Sequence, residues 1–307
     1  MKYRELADNT GLQRVFRARY KLDQPGLFSH ITQRAAGMEP LFLEENDYLA
    51  MLGLFKQSSE KFQIKYLALC CMQNHTHILI QPEEKNLYAS MHYIFSSYAH
   101  WFNKKYQRKG HLFGGPYRQS ICLDPTYLLA ASVYIHLNPV RAGLVKEASK
   151  YRWSSWGLYC RQDPARSFVD PGPVLDILDK DRNIAVKQYE MILREGAGAK
   201  QENLFEKTGA VEKFSFVLRE MFPTIFKRIS KTWSPGQEDQ NQNILFTPVE
   251  QLTREFQDIP ASRKPETRKA RKYVVQQLLA RGFKKTEIAA KLNISRNTVY
   301  NILNSSE

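Results

Sequence analysis

Apolar positions along the chain follow two rhythms, and the switching between them predicts an α+β fold. Ile64 to Met72 is a nearly unbroken apolar run, the pattern of a buried strand. Thr76 to Gln81 continues as a strand and stops at Pro82, with Gln73-Asn74 between the two as a tight turn or a bulge. Phe28 to Thr32 reads as a further strand, with Gly37 in the loop after it. Helical spacing takes over elsewhere. Asn46 is the expected N-cap of a helix running through Leu54 and beyond. From Leu87 to Tyr106, the residues Leu87, Met91, Ile94, Phe95, Tyr98 and Phe102 recur on one helical face. Asp124-Pro125 supplies an N-cap acid and a proline at the first helical position; that helix is expected to reach about Leu137, with Gly143 punctuating the chain beyond it. Strand, helix, two strands and two helices make an α+β sandwich built on an antiparallel sheet.

The pattern also divides the chain. Residues 1–165 carry the alternating elements, and 166–232 read as a helical extension in which Arg182 to Arg194 ends at Gly196. Residues 233–244 are polar with Pro-Gly and read as a linker. Residues 245–307 form a small basic helical domain. There, Lys272 to Ala280 is amphipathic and closes at Arg281-Gly282. Thr286 is the expected cap of a short helix through Leu292, Asn293-Ile294 a turn, and Ser295 the cap of a last helix through Leu303. This resembles a helix-turn-helix presenting Arg296, Asn297 and Tyr300 near the start of its second helix, where base contacts are made.

Composition narrows the partners. The chain has 307 residues and a formal net charge of +14, with a pI near 9.5. A polyanion is the expected partner, nucleic acid first and an acidic membrane surface second. No run of eighteen apolar residues exists, so no membrane span is expected, and the polar start argues against a signal peptide. Cys70, Cys71, Cys122 and Cys160 lack CxxC spacing and read as reduced, mostly buried thiols, with Cys70 and Cys71 on opposite sides of one strand; the expected location is cytoplasmic and nucleoid-associated.

Chemistry is concentrated in two segments. In His75-Thr76-His77 the imidazoles, two apart on a strand, project side by side, a start for a metal site. Tyr134 and Asn138, four apart on the helix opened by Asp124-Pro125, share a face. Pro139 is expected to loosen the helix end, so that Asn138 swings its amide oxygen toward a cation. Taken alone, each segment reads first as structural: two sheet histidines, a core tyrosine, a capping asparagine.

Four segments in order change that balance. Met72-Gln-Asn-His75-Thr-His77-Ile-Leu, Gly110-His-Leu-Phe113, Tyr134-Ile-His-Leu-Asn-Pro-Val-Arg-Ala-Gly-Leu144 and Trp153-Ser-Ser155 together resemble the REP-associated tyrosine transposases, single-tyrosine members of the HUH endonucleases. The resemblance covers about residues 15–160. It implies a ferredoxin-like antiparallel sheet with helices on one face. It also implies Tyr134 as nucleophile, and His75, His77 and Asn138 as ligands of a divalent metal, Mg2+ or Mn2+. Two positions depart from the family pattern, Gly114 where Gln is common and Pro116 where Arg is common; Arg118 lies close to the missing arginine.

The residue types suit phosphodiester transfer. Only ~0.1% of a phenol with pKa ~10 is ionised at neutral pH, so a nearby cation is needed to activate the phosphate. Attack leaves a 5′-phosphotyrosine and a free 3′-OH, and the conserved bond energy allows rejoining to another 3′-OH. The expected substrate is single-stranded DNA with a hairpin, as in repetitive extragenic palindromes. Duplex DNA is the expected partner of the C-terminal domain, and the protein is a monomer or homodimer. Interleaved aromatic and basic residues, Trp101, Lys104, Lys105, Arg108 and Lys109, suit a phosphate-tracking groove, with Arg118 and Arg141 as further DNA contacts. A helix with its aromatics inward and a solvated basic end is the competing reading. Arg263, Lys264, Arg268, Lys269, Arg271 and Lys272 either hold the DNA backbone or form a solvated surface; His111, Tyr117, His136, Trp153 and Trp156 read as packing residues. The rival functions are a domesticated DNA-binding regulator with an idle site, a rolling-circle replication initiator, and a plain metal phosphodiesterase.

Overall fold

The computed structural model describes residues 15–16, 21–122, 124–160, 167–198, 210–232, 249–260, 265–280 and 283–304. The expected linker at 233–244, the Arg281-Gly282 closure, and Arg263 and Lys264 lie outside the described residues. The chain forms two compact units, one of residues 16–233 and one of residues 1–15 with 234–307.

The larger unit is organised by a sheet in which β1 (Val15–Phe16), β2 (Ser29–Arg34), β3 (Ile64–Met72), β4 (His75–Pro82) and β5 (Arg118–Ile121) lie in the order β1-β5-β2-β4-β3. The pairs β2–β4, β2–β5 and β3–β4 are antiparallel. With α1 (Glu45–Phe62) between β2 and β3, and α2 (Leu87–Lys105) between β4 and β5, the connectivity is ferredoxin-like. β3 and β4 meet through a two-residue turn at Gln73-Asn74, as the sequence suggested.

Each face of the sheet buries its own core. Ile31, Tyr66, Leu69, Cys71, Ile78 and Ile80 pack on α1 and α2. Leu67, Ala68, Cys70, Met72 and Leu79 pack on α3 (Pro125–Arg141), and this core extends over α6 (Arg182–Ala197), α7 (Ala210–Met221) and α8 (Pro223–Thr232). Cys70 and Cys71 are free thiols on opposite faces, as strand alternation predicts. Helices therefore cover both faces, not one. Two apolar faces on a nine-residue strand leave no other solution, because each must be shielded from water. The short helices α4 (Trp156–Tyr159) and α5 (Gly172–Leu175) complete the unit.

Several boundaries differ from the sequence reading, each for a local reason. Strand β2 is Ser29–Arg34, one residue later at its start and two at its end. β5 was not anticipated: it has four residues and a single buried apolar side chain, too short to show a period. α1 is capped by Glu44, not Asn46, because the buried Asp47 carboxylate turns back to accept from the Leu43 and Glu44 amides at 2.7 and 3.1 Å. α3 begins as expected, with the Asp124 carboxylate accepting from Tyr127 N at 2.8 Å. It does not loosen near Leu137; it runs through Pro139 to Arg141, and Gly143 (φ 69°) lies just past its end. Gly196 does not terminate α6 but lies inside it, where an added Cβ would come within 3.4–3.6 Å of Leu137, Leu218 and Phe214. The glycine serves helix packing there, not chain reversal.

The smaller unit holds α9 (Val249–Asp258), α10 (Pro265–Ala280), α11 (Lys285–Lys291) and α12 (Arg296–Asn304) around Leu252, Phe256, Val275, Leu278, Ile288 and Val299. The cap of α11 is Lys284, not Thr286, and the Lys284 amide donates to Glu287 Oε2 at 2.6 Å. Asn293 takes the left-handed conformation of a turn (φ 53°), and Ser295 Oγ accepts from Thr298 N at 3.0 Å. Arg271 is a packing residue here; it donates to Ile259 O and lies over the Phe256 ring. No helix among the described residues is long and apolar enough to cross a membrane.

Candidate active site

Sheet register builds the site. Directly paired residues of an antiparallel ladder share a face, so Thr32 lies between His77 on β4 and Arg118 on β5, and Arg34 lies beside His75. His30 stands two residues before Thr32 on the same side. α3 crosses this face and brings Tyr134 down onto it. The rings of His77 and Tyr134 are 5.7 Å apart, those of His30 and Tyr134 5.9 Å, and those of His75 and His77 4.8 Å. The structure thus places Tyr134, His75 and His77 together. His30, Thr32 and Arg34 were not singled out from the sequence. The segment Ser29-His30-Ile31-Thr32-Gln33-Arg34 carries polar residues on both faces, so strand alternation puts His30, Thr32 and Arg34 on one side without marking that side as the site.

Hydrogen bonding assigns the ring nitrogens. Asn74 Oδ1 lies 2.6 Å from His75 Nδ1; an amide oxygen only accepts, so His75 carries its proton on Nδ1 and keeps a lone pair on Nε2. His77 Nδ1 is 2.9 Å from His30 Nε2 and 3.1 Å from Thr32 Oγ1. His77 Nε2 is buried and meets no hydrogen-bond partner. All three imidazoles are neutral at pH 7. Burial pushes His30 down to about 4. It pushes His75 down to about 3, with the Arg34 charge adding to it. His77 is driven well below the usual range by burial first, then by His75, His30 and Arg34. Neutral imidazole is the metal-binding form.

Asn138 departs from expectation. It shares the face of Tyr134, but its side chain folds back, Nδ2 donating to Tyr134 O at 2.8 Å. The helix continues past it, so no loosened end lets the amide swing. With Nδ2 engaged, Oδ1 is its remaining polar atom. No cluster of three or more His, Cys, Asp or Glu side chains able to hold a metal occurs among the described residues. Two imidazole nitrogens and one amide oxygen nevertheless fit a divalent ion that draws its other ligands from phosphate or water oxygens.

The site is closed. Tyr134 is 2% exposed, His77 3%, Asn138 6% and His75 7%. Phe214 of α7 stands over Tyr134, ring centroids 6.3 Å apart. The Arg141 guanidinium sits 4.3 Å from the Phe214 ring centre and donates to Gly196 O at 3.1 Å. Burial pushes Arg141 down to about 10, an effect opposed by the neighbouring Tyr134.

The other candidate DNA contacts are divided. α2 packs on the opposite face of the sheet from His77. Its basic end is largely engaged: Lys105 Nζ bonds Asp47 at 2.5 Å and Glu44 at 2.6 Å, and Arg108 pairs with Glu39. Trp101 is half-buried, with Lys105 Nζ 4.8 Å from its ring centre. Lys104 and Lys109 of that group stand exposed, and Arg118 is exposed on the sheet face that carries His77. Gly114, where the family pattern has Gln, donates to Arg34 O, and an added Cβ would sit 3.2 Å from Ala35 O. In the smaller unit Arg296 and Asn297 are exposed, and the Arg296 guanidinium donates to Tyr300 Oη at 3.3 Å.

Comparison with known proteins supplies two family matches. Residues 29–138 match the family described as "Transposase IS200 like", and residues 266–307 match "Homeodomain-like domain". No curated protein compared with the chain matches it. A solved structure described as a REP-associated tyrosine transposase bound to a REP hairpin aligns at 13% identity, covering 50% of this chain and 94% of that one, with a TM-score of 0.43.

Proposed function

We propose that this chain, which carries an IS200-like transposase domain followed by a homeodomain-like one, is a single-strand DNA endonuclease and strand transferase that uses Tyr134 as nucleophile. The observation that carries this reading is the convergence of Tyr134 with His75 and His77 on one sheet face, where His77 Nε2 is left without a partner. The Tyr134 Oη–phosphorus bond forms, the phosphorus–O3′ bond breaks, and the phenolic proton ends on the departing 3′-OH. The product is a 5′-phosphotyrosine, and the reverse reaction rejoins a different 3′-OH. His75 and His77 would hold Mg2+ or Mn2+, with Asn138 Oδ1 as the third protein donor; when bound, the ion polarises the phosphate and stabilises charge on the leaving oxygen. Arg34 and Arg118 border the site as phosphate-binding cations. The substrate we favour is a hairpin carrying a short single strand, and the homeodomain-like part binds neighbouring duplex through α12.

Burial of Tyr134 favours a second reading, a DNA-binding protein whose nuclease site is idle. One experiment separates the two. The full chain is mixed with labelled single-stranded hairpin and Mn2+, then run on a denaturing gel. A shifted, protease-sensitive DNA band is expected from wild type and none from Tyr134→Phe, which loses one oxygen and little packing. No adduct with any hairpin sequence, in a folded DNA-binding protein, favours the idle site. An adduct that persists in Tyr134→Phe removes Tyr134 from the chemistry.

A further inference from the structure

We propose that His30 is a positioning residue of this site: it accepts the Nδ1 proton of His77 and so keeps the His77 Nε2 lone pair available to a divalent cation. The inference rests on the reading of His75 and His77 as cation ligands. A neutral imidazole has one N–H and one lone pair, so fixing one nitrogen fixes the other. Nδ1 of His77 lies 2.9 Å from His30 Nε2, whereas Nε2 is buried with no partner. Two proton placements are possible. With the proton on Nε2, a buried N–H has nothing to receive it, a costly arrangement in a folded core, and no cation binds there. With the proton on Nδ1, His30 Nε2 receives it, and Nε2 of His77 keeps a lone pair facing the site.

Thr32 Oγ1, 3.1 Å away, does not make this choice, because a hydroxyl rotates to donate or accept. His30 is 5% exposed and packs against two rings, His77 at 5.1 Å and Tyr134 at 5.9 Å between centroids. The arrangement repeats at the other ligand, where Asn74 Oδ1 holds the Nδ1 proton of His75. Each histidine thus has its own acceptor behind it, one from a turn and one from β2. Groups that orient metal-binding histidines in this way typically matter about 10–100-fold to metal affinity.

The test uses the full chain without DNA. Mn2+ binding is followed by the electron paramagnetic resonance of the free ion, and His77 protonation by long-range proton–nitrogen NMR of histidine-labelled protein. His77→Ala is expected to weaken Mn2+ binding at least ~10-fold, which checks the underlying reading. His30→Phe is expected to weaken it ~10–100-fold. His30→Gln, whose side-chain oxygen still accepts, is expected to bind close to wild type and to keep the His77 proton on Nδ1. Wild-type affinity in folded His30→Phe, beside a weakened His77→Ala, overturns the role of His30 alone. Unchanged affinity in His77→Ala overturns the metal-site reading beneath it. If His30→Phe does not fold, the wild-type spectrum decides: a His77 proton on Nε2 refutes the inference.

Discussion

Two buried imidazoles, His77 on β4 and His136 on the α3 helix that packs over the same sheet face, differ in one respect. Both are fully enclosed, and both are held neutral by burial, His136 down to about 3. At His136 both nitrogens are satisfied: Nδ1 meets Tyr189 Oη at 2.7 Å and Nε2 meets Ser155 Oγ at 2.8 Å. Those hydroxyls continue to Ser132 and to Leu69 O, and Tyr159 packs against the rings of His136 and Tyr189. His136 is a polar pin joining α3, α6 and β3. At His77 the account does not close, and one nitrogen stays empty. Burial and a depressed pKa therefore do not tell these two histidines apart; the unfilled nitrogen of His77 does.

Substitution breaks the comparison most directly. His77→Ala is expected to slow cleavage by at least ~100-fold, with little change in melting temperature, because several kcal/mol of charge stabilisation are lost at ~1.4 kcal/mol per tenfold in rate. His136→Ala should do the reverse. It leaves two buried hydroxyls and a cavity, for ~3 kcal/mol of stability, while the rate per folded molecule holds. Calorimetry and single-turnover cleavage on the same preparations check both; equal effects at the two positions would erase the distinction.

Acid sharpens it further. His30 and His136 have folded pKa values of about 4 and about 3, below the ordinary imidazole value. The unfolded chain thus binds more protons between about pH 6.5 and 4, so stability is full above that window and falls as pH drops through it. Each histidine contributes a slope of up to ~1.4 kcal/mol per pH unit. Urea titrations at pH 7 and pH 5 in chelator should show a lower midpoint at pH 5, and His136→Gln should flatten the difference.

Smaller effects are expected at Asn138 and Arg296. Water can replace a neutral oxygen donor, so Asn138→Ala should slow cleavage only ~10-fold. An Asn138→Ala rate as low as that of His77→Ala would make the amide an equal partner of the imidazoles. Arg296→Ala, in the other unit, should leave cleavage of a minimal single strand unchanged. It should weaken binding to one preferred duplex sequence by ~1–3 kcal/mol relative to others, read by competition binding. Uniform weakening across sequences would make Arg296 a phosphate contact.

Legibility from sequence tracks the strength of local pattern. β3 is predicted at its observed ends because nine consecutive residues, eight of them buried, leave no ambiguity. The Asp124-Pro125 start is equally clear because both cap chemistry and fixed φ act locally. The pairing of His75 and His77 needs only strand alternation. β5 and the covering of the second face escape a local reading because they depend on contacts between segments far apart in sequence, as in the Thr32–Arg118 register and the packing of α3 on β3. The end of α3 is misjudged for a related reason. Proline disfavours helix locally, but the buried length of α3, from Thr126 to Pro139, outweighs that preference. The competing reading of Lys105 as part of a structural helix end gains support from Asp47, an acid far away in sequence whose burial nothing local announces.

The closed cover that Phe214 and Arg141 form with Tyr134 turns reactivity into a matter of populations. If DNA reaches Tyr134 only in molecules whose cover is displaced, the observed rate is the chemical rate multiplied by the open fraction. An opening cost of ~2.7 kcal/mol leaves ~1% of molecules open and lowers apparent affinity, and with it the rate at limiting DNA, ~100-fold. A strand that binds open molecules selectively offsets that cost with its own contacts, whereas a poorly matched strand does not. Discrimination among DNA sequences then arises before any bond is broken, from how long each one holds the core apart.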